Sequence, residues 1–364
     1  PFRGGLAAFN ERLAKALISE GHEVIIYTFS LQYPGFLFPG KTQYADCPAP
    51  EDLSINVRIN SVNPFNWIRV GRALKKLNAD ITIFCYWMSF FSPCFGTISR
   101  ISRTKNTKHL ALIHNMIAHE PSLLDKLLPK YFVKAMDGFV AMSESVKDDI
   151  AKFDSHNKPV LVSPHPVYDH YGEGVSKAIA AKYIGLNVNY NYILFFGFIR
   201  PYKGLDLLLK AFADKRLRNK NIKLIVAGEF YEDEKPYMEL IDNLGLRDEV
   251  ILKTEFIPDS EVKYYFNVCD MVVQPYKSAT QSGVTQIAYF YEKPMLVTNV
   301  GGLAEIVPHN KVGYVVDVDA LKIADALVDF FENERCREFG SHIKTEKKRF
   351  MWDKMAQAFL KLSL

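Results

Sequence analysis

Short apolar segments alternate with amphipathic stretches along most of this chain, and that alternation restricts the folds open to it. Short apolar segments without a strict period of two are typical of strands buried on both faces of a sheet. Because helical stretches separate most of them, they predict parallel sheets with helices on both faces. In the first half the segments are Val24–Thr28, Ile81–Cys85, Leu110–Ile113, Gly138–Met142 and Val160–Val162.

The same pattern starts again after a loop-rich passage, Ser163–Gly174. A chain of 364 residues is long for a single hydrophobic core, so two domains are expected. We predict two doubly wound, Rossmann-like α/β domains, at residues 1–170 and 171–345, that face each other across a cleft at the carboxyl ends of their strands. The predicted strands of the second domain are Tyr192–Phe196, Lys223–Ala227, Val250–Leu252, Met271–Gln274, Met295–Thr298 and Gly313–Val316.

Composition excludes several classes of protein. The formal net charge of +4 is too small for the basic stripe of a nucleic-acid-binding domain, so no nucleic-acid partner is expected. No run of about 18 apolar residues occurs, so no membrane-spanning helix is predicted. The 5 cysteines are scattered and form no CxxC pair, which favours the reducing environment of the cytoplasm.

The opening residues, Pro1-Phe2-Arg3-Gly4-Gly5, lead directly into an amphipathic helix. They do not have the pattern of a signal peptide. In a doubly wound fold, a glycine turn before a helix normally follows a strand. We therefore expect a further strand in front of this turn.

The segment Ile193–Phe212 (ILFFGFIRPYKGLDLLLKAF) contains the strongest candidate for a binding site. It predicts a buried strand, a glycine turn and a helix that starts near Gly204. Arg200 and Lys203 then lie beside the helix N-terminus, whose free N–H groups and positive dipole attract anions. Gly197 and Gly204 allow a ligand to approach the backbone closely. The alternative is a solvated turn with two exposed basic residues.

Two other glycine-containing segments are weaker candidates. Gly4 and Gly5 form either a ligand-approach turn or only a tight connection, and they lack the GxGxxG spacing of NAD-binding folds. The segment Ser278–Ile287 (SATQSGVTQI) offers Ser282 and the backbone around Gly283 to a sugar or phosphate. The alternative role of this segment is a simple N-cap for the helix that follows.

His114 directly follows the predicted strand Leu110–Ile113, at the edge of the sheet where ligands bind. It is either a ligand-contacting residue or a loop histidine without a role. His119 and Glu120 are close in sequence, but no third and fourth ligand follows at a suitable spacing. We therefore predict no metal site.

The order of these motifs resembles that of the GT-B glycosyltransferases, in particular the retaining group 1, or glycogen-synthase-like, family. The resemblance covers most of the chain and is strongest in the second half. It rests on the segments GGLAAFNERLAKALISEGHEVIIYT, FFGFIRPYKGLDLLLKAF, LIVAGEF, FIPDSEVKYYFNVCDMVVQPY and EKPMLVTNVGGLAEIV.

The resemblance implies a role for each candidate residue, with His114, Arg200 and Lys203 as the catalytic ones. It also implies that a terminal helix at residues 346–364 crosses back onto the first domain. Because Arg200 and Lys203 would stabilise the leaving diphosphate, neither a metal nor another cofactor is required. The implied donor-binding residues are Gly4, Gly5, Gly197, Arg200 and Lys203 for the diphosphate, and His114, Ser282, Gly283, Val284 and Gln286 for the sugar and ribose.

Two features depart from the family's pattern. Phe198 stands where an arginine normally follows the glycine, and Arg200 lies two residues later. The family's paired glutamates, spaced eight apart, fall on Ala279 and Ile287. In the family those carboxylates hold the donor sugar and the ribose hydroxyls.

Two amides are the nearest polar side chains of similar length, Gln281 and Gln286. A one-residue shift of the loop would put Gln286 near the second of the two acidic positions. An amide can bond hydroxyl groups but carries no charge. Arg200 and Lys203 are therefore expected to carry more of the donor's charge than is usual in the family.

These observations predict a glycosyltransferase that moves a hexosyl group from a UDP- or GDP-linked sugar to a hydroxyl acceptor, with retention of anomeric configuration. The expected context is surface polysaccharide (lipopolysaccharide or capsule) or glycolipid biosynthesis. One alternative is a non-catalytic sugar-nucleotide binding protein, which the missing glutamates allow. The other is a sugar-nucleotide epimerase or phosphorylase of the same architecture, although the extra acidic or cofactor-lysine features of such enzymes are not found.

Three stretches of the first half combine basic and apolar residues: Trp67–Leu77, Ser99–His109 and Leu123–Lys134. Each is either an ordinary amphipathic helix or solvated face, or part of a surface that binds an anionic bilayer. A bilayer contact would suit a lipid-linked saccharide acceptor. The expected location is the cytoplasm, with peripheral attachment at the inner face of the membrane.

Overall fold

The computed structural model describes residues 5–34, 50–116, 123–218, 220–279 and 282–364 of the chain. They form two compact units, one made of Pro1–His165 with Met351–Leu364 and the other of Pro166–Phe350. The expected bounds at residues 170 and 345 lie within a few positions of these changes of unit, the first of which falls inside the loop-rich passage Ser163–Gly174. None of the helices in the described ranges combines the length and apolar character needed to span a bilayer.

The first unit contains two parallel sheets. Its strands are β1 (Ile25–Leu31), β2 (Ser54–Asn60), β3 (Ile81–Tyr86), β4 (Lys108–Ile113), β5 (Gly138–Ala141) and β6 (Val160–Val162). Among the described strands β1 pairs only with β2, whereas β3, β4, β5 and β6 form the larger sheet in that order. This parallel arrangement confirms the α/β prediction for the first half.

Helices cover both faces of the larger sheet. They are α1 (Gly5–Ser19), α2 (Pro64–Leu77), α3 (Ser92–Ser102), α4 (Leu123–Val133), α5 (Glu144–Ala151) and, from the end of the chain, α14 (Trp352–Ser363). On one face Phe9 and Leu13 of α1 pack with Trp352 of α14. On the other face Phe95 of α3 and Phe132 of α4 lie in a second aromatic cluster.

The strand β2 is missing from the sequence-based prediction. Its sequence, SINVRIN, mixes apolar with polar residues, and several of its side chains are exposed. An edge strand that buries only part of one face lacks the continuous apolar run by which the other strands were predicted.

The second unit contains one six-stranded parallel sheet. Its strands are β7 (Asn191–Phe196), β8 (Ile222–Ala227), β9 (Val250–Lys253), β10 (Met271–Gln274), β11 (Met295–Thr298) and β12 (Gly313–Val316). The second unit has two hydrophobic cores, one on each face of this sheet, and alternate residues of β7 pack into them. Leu194 lies in one core, and Ile193 and Phe195 lie in the other. Burial on both faces explains the continuous apolar sequences of these strands.

Eight helices of the described chain belong to the second unit. They are α6 (Lys177–Ile184), α7 (Leu205–Phe212), α8 (Lys235–Asn243), α9 (Asp259–Val268), α10 (Gly283–Phe290), α11 (Leu303–Ile306), α12 (Ala320–Glu332) and α13 (Cys336–Glu346). The strand order is β12-β11-β10-β7-β8-β9. The chain thus moves outward from β7 through β8 to β9, then returns to the other side of β7 and moves outward through β10, β11 and β12. In such sheets ligands bind at the carboxyl ends of the two strands where the direction reverses, which here are β7 and β10.

Candidate active site

The turn that follows β7 has a backbone that only glycine can supply. The strand ends at Phe196, and Gly197 adopts a φ of 92°. A 3₁₀ turn over Pro201–Lys203 leads to Gly204, which has a φ of 70°. A Cβ atom on Gly204 would lie 2.0 Å from the carbonyl oxygen of Pro275. The helix α7 then begins at Leu205, next to its predicted start.

Lys203 reaches back from this turn toward the end of β7. Its Nζ lies 3.1 Å from the position that a Cβ of Gly197 would take, and 5.7 Å from the ring centre of Tyr276. Burial, with a smaller contribution from Arg200, lowers the pKa of Lys203 to about 8. No described carboxylate forms an ion pair with this ammonium group, so no opposite charge in the described chain offsets the loss of hydration.

Arg200 is exposed and stacks on an aromatic side chain. Its guanidinium carbon lies 4.6 Å from the ring centre of Tyr231, and that ring contacts Phe198 at 4.4 Å between centroids. The backbone holds the pair in place, since the N–H of Tyr231 donates to the carbonyl of Ile199 at 3.1 Å. Phe198, at the position of the family's arginine, therefore belongs to an aromatic platform under Arg200.

The segment after β10 forms the second side of the site. Tyr276 is buried, and its hydroxyl group lies 3.3 Å from that of Ser282. Ser282 occupies the N-cap position of α10, but its side chain makes no capping hydrogen bond. The next residue, Gly283, packs so closely that a Cβ there would lie 2.6 Å from the ring of Tyr168. The Tyr168 ring can therefore pack against this segment only because residue 283 has no side chain.

Hydrogen bonds join the two segments. The N–H of Lys277 donates to the carbonyl of Tyr202 at 2.6 Å, and the Lys277 ammonium pairs with Asp206 at 2.8 Å. Val284 lies 3.9 Å from the position of a Cβ on Gly197. We call the space bounded by Gly197, Lys203, Tyr276, Ser282 and Val284 the switch-point crevice. Because Asp206 is neutralised by Lys277, the charges left at this crevice are those of Arg200 and Lys203.

Gln286 is buried in α10, with 1% of its surface exposed. Neither its Oε1 nor its Nε2 has a hydrogen-bond partner in the part of the chain that the structure describes. Ile287, at one acidic position of the family, is buried in the apolar core, and Ala279, at the other, packs against that core. The structure thus retains one polar group near these positions and no carboxylate at either. Gln281 lies outside the described residues.

His114 lies in the first unit, directly after β4. Its N–H donates to the carbonyl of Tyr86 at 2.9 Å, and its ring makes an edge contact with Phe9 at 5.0 Å. The Nε2 atom is buried and has no hydrogen-bond partner within the described ranges. Burial, followed by the charge of His165, lowers the pKa of His114 to about 3. The ring is therefore neutral at physiological pH and can donate or accept one hydrogen bond.

The glycine pair at the front of the chain is only partly covered by the structure. Gly5 is the first residue of α1. Gly4 lies outside the described residues. Within the described ranges, no group of three or more His, Cys, Asp or Glu side chains is arranged to hold a metal ion.

Two aromatic residues of the site were missed in the sequence. Tyr276 follows β10 directly after Pro275, and Tyr231 lies in the loop after β8. Both therefore come after the carboxyl ends of strands, which is the signal that singled out His114. Only the strand order, which places β10 beside β7, shows that Tyr276 and Lys203 share one crevice.

Comparison with known proteins gives matches over both units. Residues 177–349 match the family described as glycosyl transferases group 1, and residues 3–170 match Glycosyltransferase Family 4. An uncharacterized glycosyltransferase of Methanocaldococcus jannaschii is 29% identical over 380 residues, which cover 97% of this chain and 92% of the relative.

Solved structures of low sequence identity share the fold. A glycosyltransferase of Rickettsia africae has a TM-score of 0.72 and 18% identity, over 100% of this chain and 95% of its own. An Anabaena protein in complex with UDP-glucose has a TM-score of 0.60 and 16% identity, over 85% of each chain. WaaG, a glycosyltransferase involved in lipopolysaccharide biosynthesis, has a TM-score of 0.62 and 16% identity, over 98% of this chain and 96% of its own.

Two tandem, doubly wound parallel α/β units give this chain the fold of the GT-B class. Within this class, the two sequence matches together account for most of both units. The chain is a glycosyltransferase of the group 1 type.

Proposed function

We propose that this glycosyltransferase moves a hexosyl group from a UDP- or GDP-linked donor to a hydroxyl acceptor, with retention of configuration and without a metal ion. The observation that carries the proposal is the ammonium of Lys203 in the switch-point crevice, which has no ion-pair partner among the described residues. Holding a charge in a partly buried position without a partner is unfavourable. A diphosphate bound there would supply the missing negative charge.

Three groups would stabilise the diphosphate as it leaves. Lys203 provides a compact charge inside the crevice, and Arg200 provides a guanidinium that can bond two phosphate oxygens. The N-terminus of α7 adds free N–H groups and a positive dipole. The UDP-glucose complex of the Anabaena protein supports the donor class.

Retention is proposed from the resemblance to the retaining family, and the residues at the two acidic positions restrict how it can occur. With Ala279 and Ile287 at those positions, neither supplies a carboxylate that could form a covalent glycosyl intermediate. We propose attack from the leaving-group side. The acceptor oxygen bonds to the anomeric carbon, the bond from that carbon to the phosphate oxygen breaks, and the acceptor's proton passes to the departing phosphate.

We assign sugar and ribose contacts to Gln286, to Ser282–Val284 and to His114. Gln286 and His114 both carry buried nitrogen or oxygen atoms without partners among the described residues, and such atoms are unfavourable unless another group or a ligand satisfies them. The neutral state of His114 suits a hydrogen bond to a hydroxyl group and excludes a role as a charged acid near neutral pH.

A non-catalytic sugar-nucleotide binder is the second candidate, favoured by the absence of carboxylates at residues 279 and 287. To separate the two, purified protein is incubated with UDP-, GDP- and ADP-linked sugars, with and without a panel of hydroxyl acceptors. A transferase releases nucleoside diphosphate and transfers the sugar with retained configuration, as read by NMR of the product. Binding of a donor without release of diphosphate under any condition would establish the binder instead.

Helix α2 provides the evidence on where the acceptor is bound, because it is strongly basic. Asn63 caps its N-terminus by accepting from the N–H of Asn66, and Asn78 ends it in the left-handed conformation. The helix contains no acidic residue, and its exposed cations form no ion pair within the described chain. They are Arg69, Arg72, Lys75 and Lys76.

Phe65, at the start of α2, is 84% exposed, and it shares one shallow groove with Ile68, Arg69 and Arg72. An exposed aromatic ring flanked by unpaired cations fits the interface of an anionic bilayer. We therefore propose peripheral membrane attachment through α2 and a saccharide or lipid-linked saccharide acceptor. The likeness to a lipopolysaccharide glycosyltransferase supports surface polysaccharide or glycolipid synthesis as the context.

A further inference from the structure

The arginine beside the switch-point crevice has an aromatic ring as its partner instead of a carboxylate. The guanidinium carbon of Arg200 lies over the ring of Tyr231, 4.6 Å from its centre. Within the described ranges this guanidinium forms neither an ion pair nor a hydrogen bond. Its charge and its N–H donors are therefore available to an anion, and the ring is the contact that restricts where they lie.

Contact with a ring and contact with a phosphate use different parts of a guanidinium group. The attraction to a ring acts through the face of the planar group. The five N–H donors lie in the plane, where they can bond two oxygen atoms of one phosphate. A carboxylate partner would occupy those same donors. Tyr231 can therefore hold Arg200 without competing for the donors that a diphosphate needs.

The backbone keeps Tyr231 in register with Arg200. Beyond the carboxyl ends of β7 and β8, Ile199 and Phe230 form a further parallel bridge. The N–H of Ile199 donates to the carbonyl of Glu229 at 2.8 Å, and the N–H of Tyr231 donates to the carbonyl of Ile199 at 3.1 Å. The side chain of Ile199 is buried and anchors this extension of the sheet. The two loops are thus joined at the point where the arginine and the ring emerge.

A second ring and a second cation explain why this support is needed. The ring centre of Phe198 lies 4.4 Å from that of Tyr231, which limits the directions in which Tyr231 can turn. Arg200 is close enough to Lys203 for its charge to lower the pKa of that ammonium group. Because the two cations repel each other, an unsupported Arg200 would move away into solvent whenever no anion is bound. The aromatic support opposes that movement.

We propose that Tyr231 is a positioning residue for glycosyl transfer, which holds Arg200 in its diphosphate-binding position before the donor arrives. The inference rests on the proposed function, because it requires that Arg200 binds the donor's diphosphate. Holding a long side chain in its bound position lowers the entropy that is lost when the ligand binds. The support also gives Phe198 a role at the position where the family has its arginine.

A double-mutant cycle on nucleotide binding tests the proposal. The dissociation constants of UDP and GDP are measured at pH 7 by titration calorimetry for the native protein, Tyr231→Leu, Arg200→Ala and the double variant. For the preferred nucleotide, we expect Tyr231→Leu to weaken binding about 5-fold and Arg200→Ala at least ~10-fold. Adding Tyr231→Leu to Arg200→Ala should change nothing further, because the ring acts only through the guanidinium.

Two control variants separate positioning from a general effect on the fold. Tyr231→Phe keeps the ring and should bind within about 2-fold of the native protein. Tyr183→Leu removes another exposed tyrosine, in α6, and should leave binding unchanged. Tyr231 is itself 55% exposed, so its replacement should not disturb the core, and equal midpoints of thermal unfolding check this.

The contact itself is measured without any nucleotide. In the ligand-free protein, the ring of Tyr231 should shift the NMR resonance of the Arg200 Nε–H upfield. Tyr231→Phe should keep this shift, and Tyr231→Leu should abolish it. A resonance that is the same in all three proteins would overturn the proposal, because the guanidinium would then not lie over the ring.

The binding data distinguish failure of the inference from failure of the proposed function. If Arg200→Ala weakened binding but Tyr231→Leu did not, only the positioning role would be overturned. An equal loss from Tyr231→Leu in the native and Arg200→Ala backgrounds would also overturn it, since the ring would then act independently of the arginine. If Arg200→Ala bound both nucleotides as the native protein does, the diphosphate-binding role of Arg200 would be wrong, and the positioning role with it.

Discussion

Lys203 is the residue on which most of the proposed chemistry depends. Its ammonium group is partly buried beside Gly197 and Tyr276, and burial lowers its pKa from 10.5 to about 8. The folded protein therefore binds this proton less tightly than the unfolded chain does. At neutral pH the charged form costs stability, and this cost is removed as the pH rises from about 8 to 10.5. Perturbed groups of this kind cluster at functional sites.

The activity of the enzyme should depend on the protonation of Lys203. We expect kcat/KM for the donor to be level from about pH 6.5 to 7.5 and to fall above pH 8, approaching tenfold per pH unit, as the free enzyme loses this proton. Lys203→Arg, which stays charged throughout, should not show this fall. A steady-state pH profile of both proteins checks the prediction, and an identical fall in both would assign the titration to another group.

His114 should act by hydrogen bonding and not by proton transfer. Its ring is neutral above about pH 3, so His114→Ala should lower kcat/KM by roughly 10- to 100-fold, equally from pH 5.5 to 7.5. The exposed His156 provides a matched control, and His156→Ala should leave the rate unchanged. Initial rates at a fixed donor concentration are sufficient for the comparison. If His114→Ala kept nearly full activity, the assigned sugar contact would be wrong.

At the scale of elements, the turn between β7 and α7 determines whether the crevice forms. In Gly204→Ala, the new methyl group would clash with the carbonyl of Pro275. The alanine would also have to adopt the positive φ of residue 204. We expect a loss of about 2–4 kcal/mol in the free energy of unfolding, together with weaker donor binding.

The control for this change is Gly245→Ala. Gly245 has a φ of 63° and no atom near the position of a Cβ. This variant should therefore lose only about 1–2 kcal/mol, which isolates the cost of the dihedral angle. Chemical denaturation of both variants gives the two values. Equal losses would show that the contact with Pro275 does not restrict the turn.

The basic helix α2 should control attachment to anionic lipid. Arg69→Glu with Arg72→Glu should reduce flotation with phosphatidylglycerol vesicles by at least ~10-fold at low salt, because each cation contributes about 1 kcal/mol near such a surface. The control is Lys182→Glu with Lys215→Glu, which reverses two exposed charges of the second unit. Binding that persists in the α2 variant, or equal binding to neutral phosphatidylcholine vesicles, would contradict the proposal.

Most strands could be predicted from sequence because they are buried on both faces. The predicted bounds of strands such as Met271–Gln274 and Met295–Thr298 agree with the structure to the residue, since each apolar run ends at a polar residue, Gln274 or Thr298. The strand β2 could not be predicted because its exposed edge carries polar residues. For the site, the sequence singled out Lys203 and Ser282 separately. Their shared crevice depends on Tyr276 and on the pairing of β7 with β10, which no local pattern encodes.

At the scale of the whole molecule, the two units differ in how their sheets are built. The second unit contains one six-stranded parallel sheet, whereas the described strands of the first form a two-stranded and a four-stranded sheet. Each unit buries its own hydrophobic clusters.

The central claim is that Lys203 binds the diphosphate of a nucleotide sugar. Its most direct test is the dissociation constant of UDP and GDP at pH 7, measured by titration calorimetry for the native protein, Lys203→Ala and Lys210→Ala. Lys210 is an exposed lysine of α7, so its replacement changes the net charge by the same amount. We predict that Lys203→Ala weakens binding of the preferred nucleotide by at least ~10-fold while Lys210→Ala leaves it unchanged. Equal affinities for the native protein and Lys203→Ala would contradict the account.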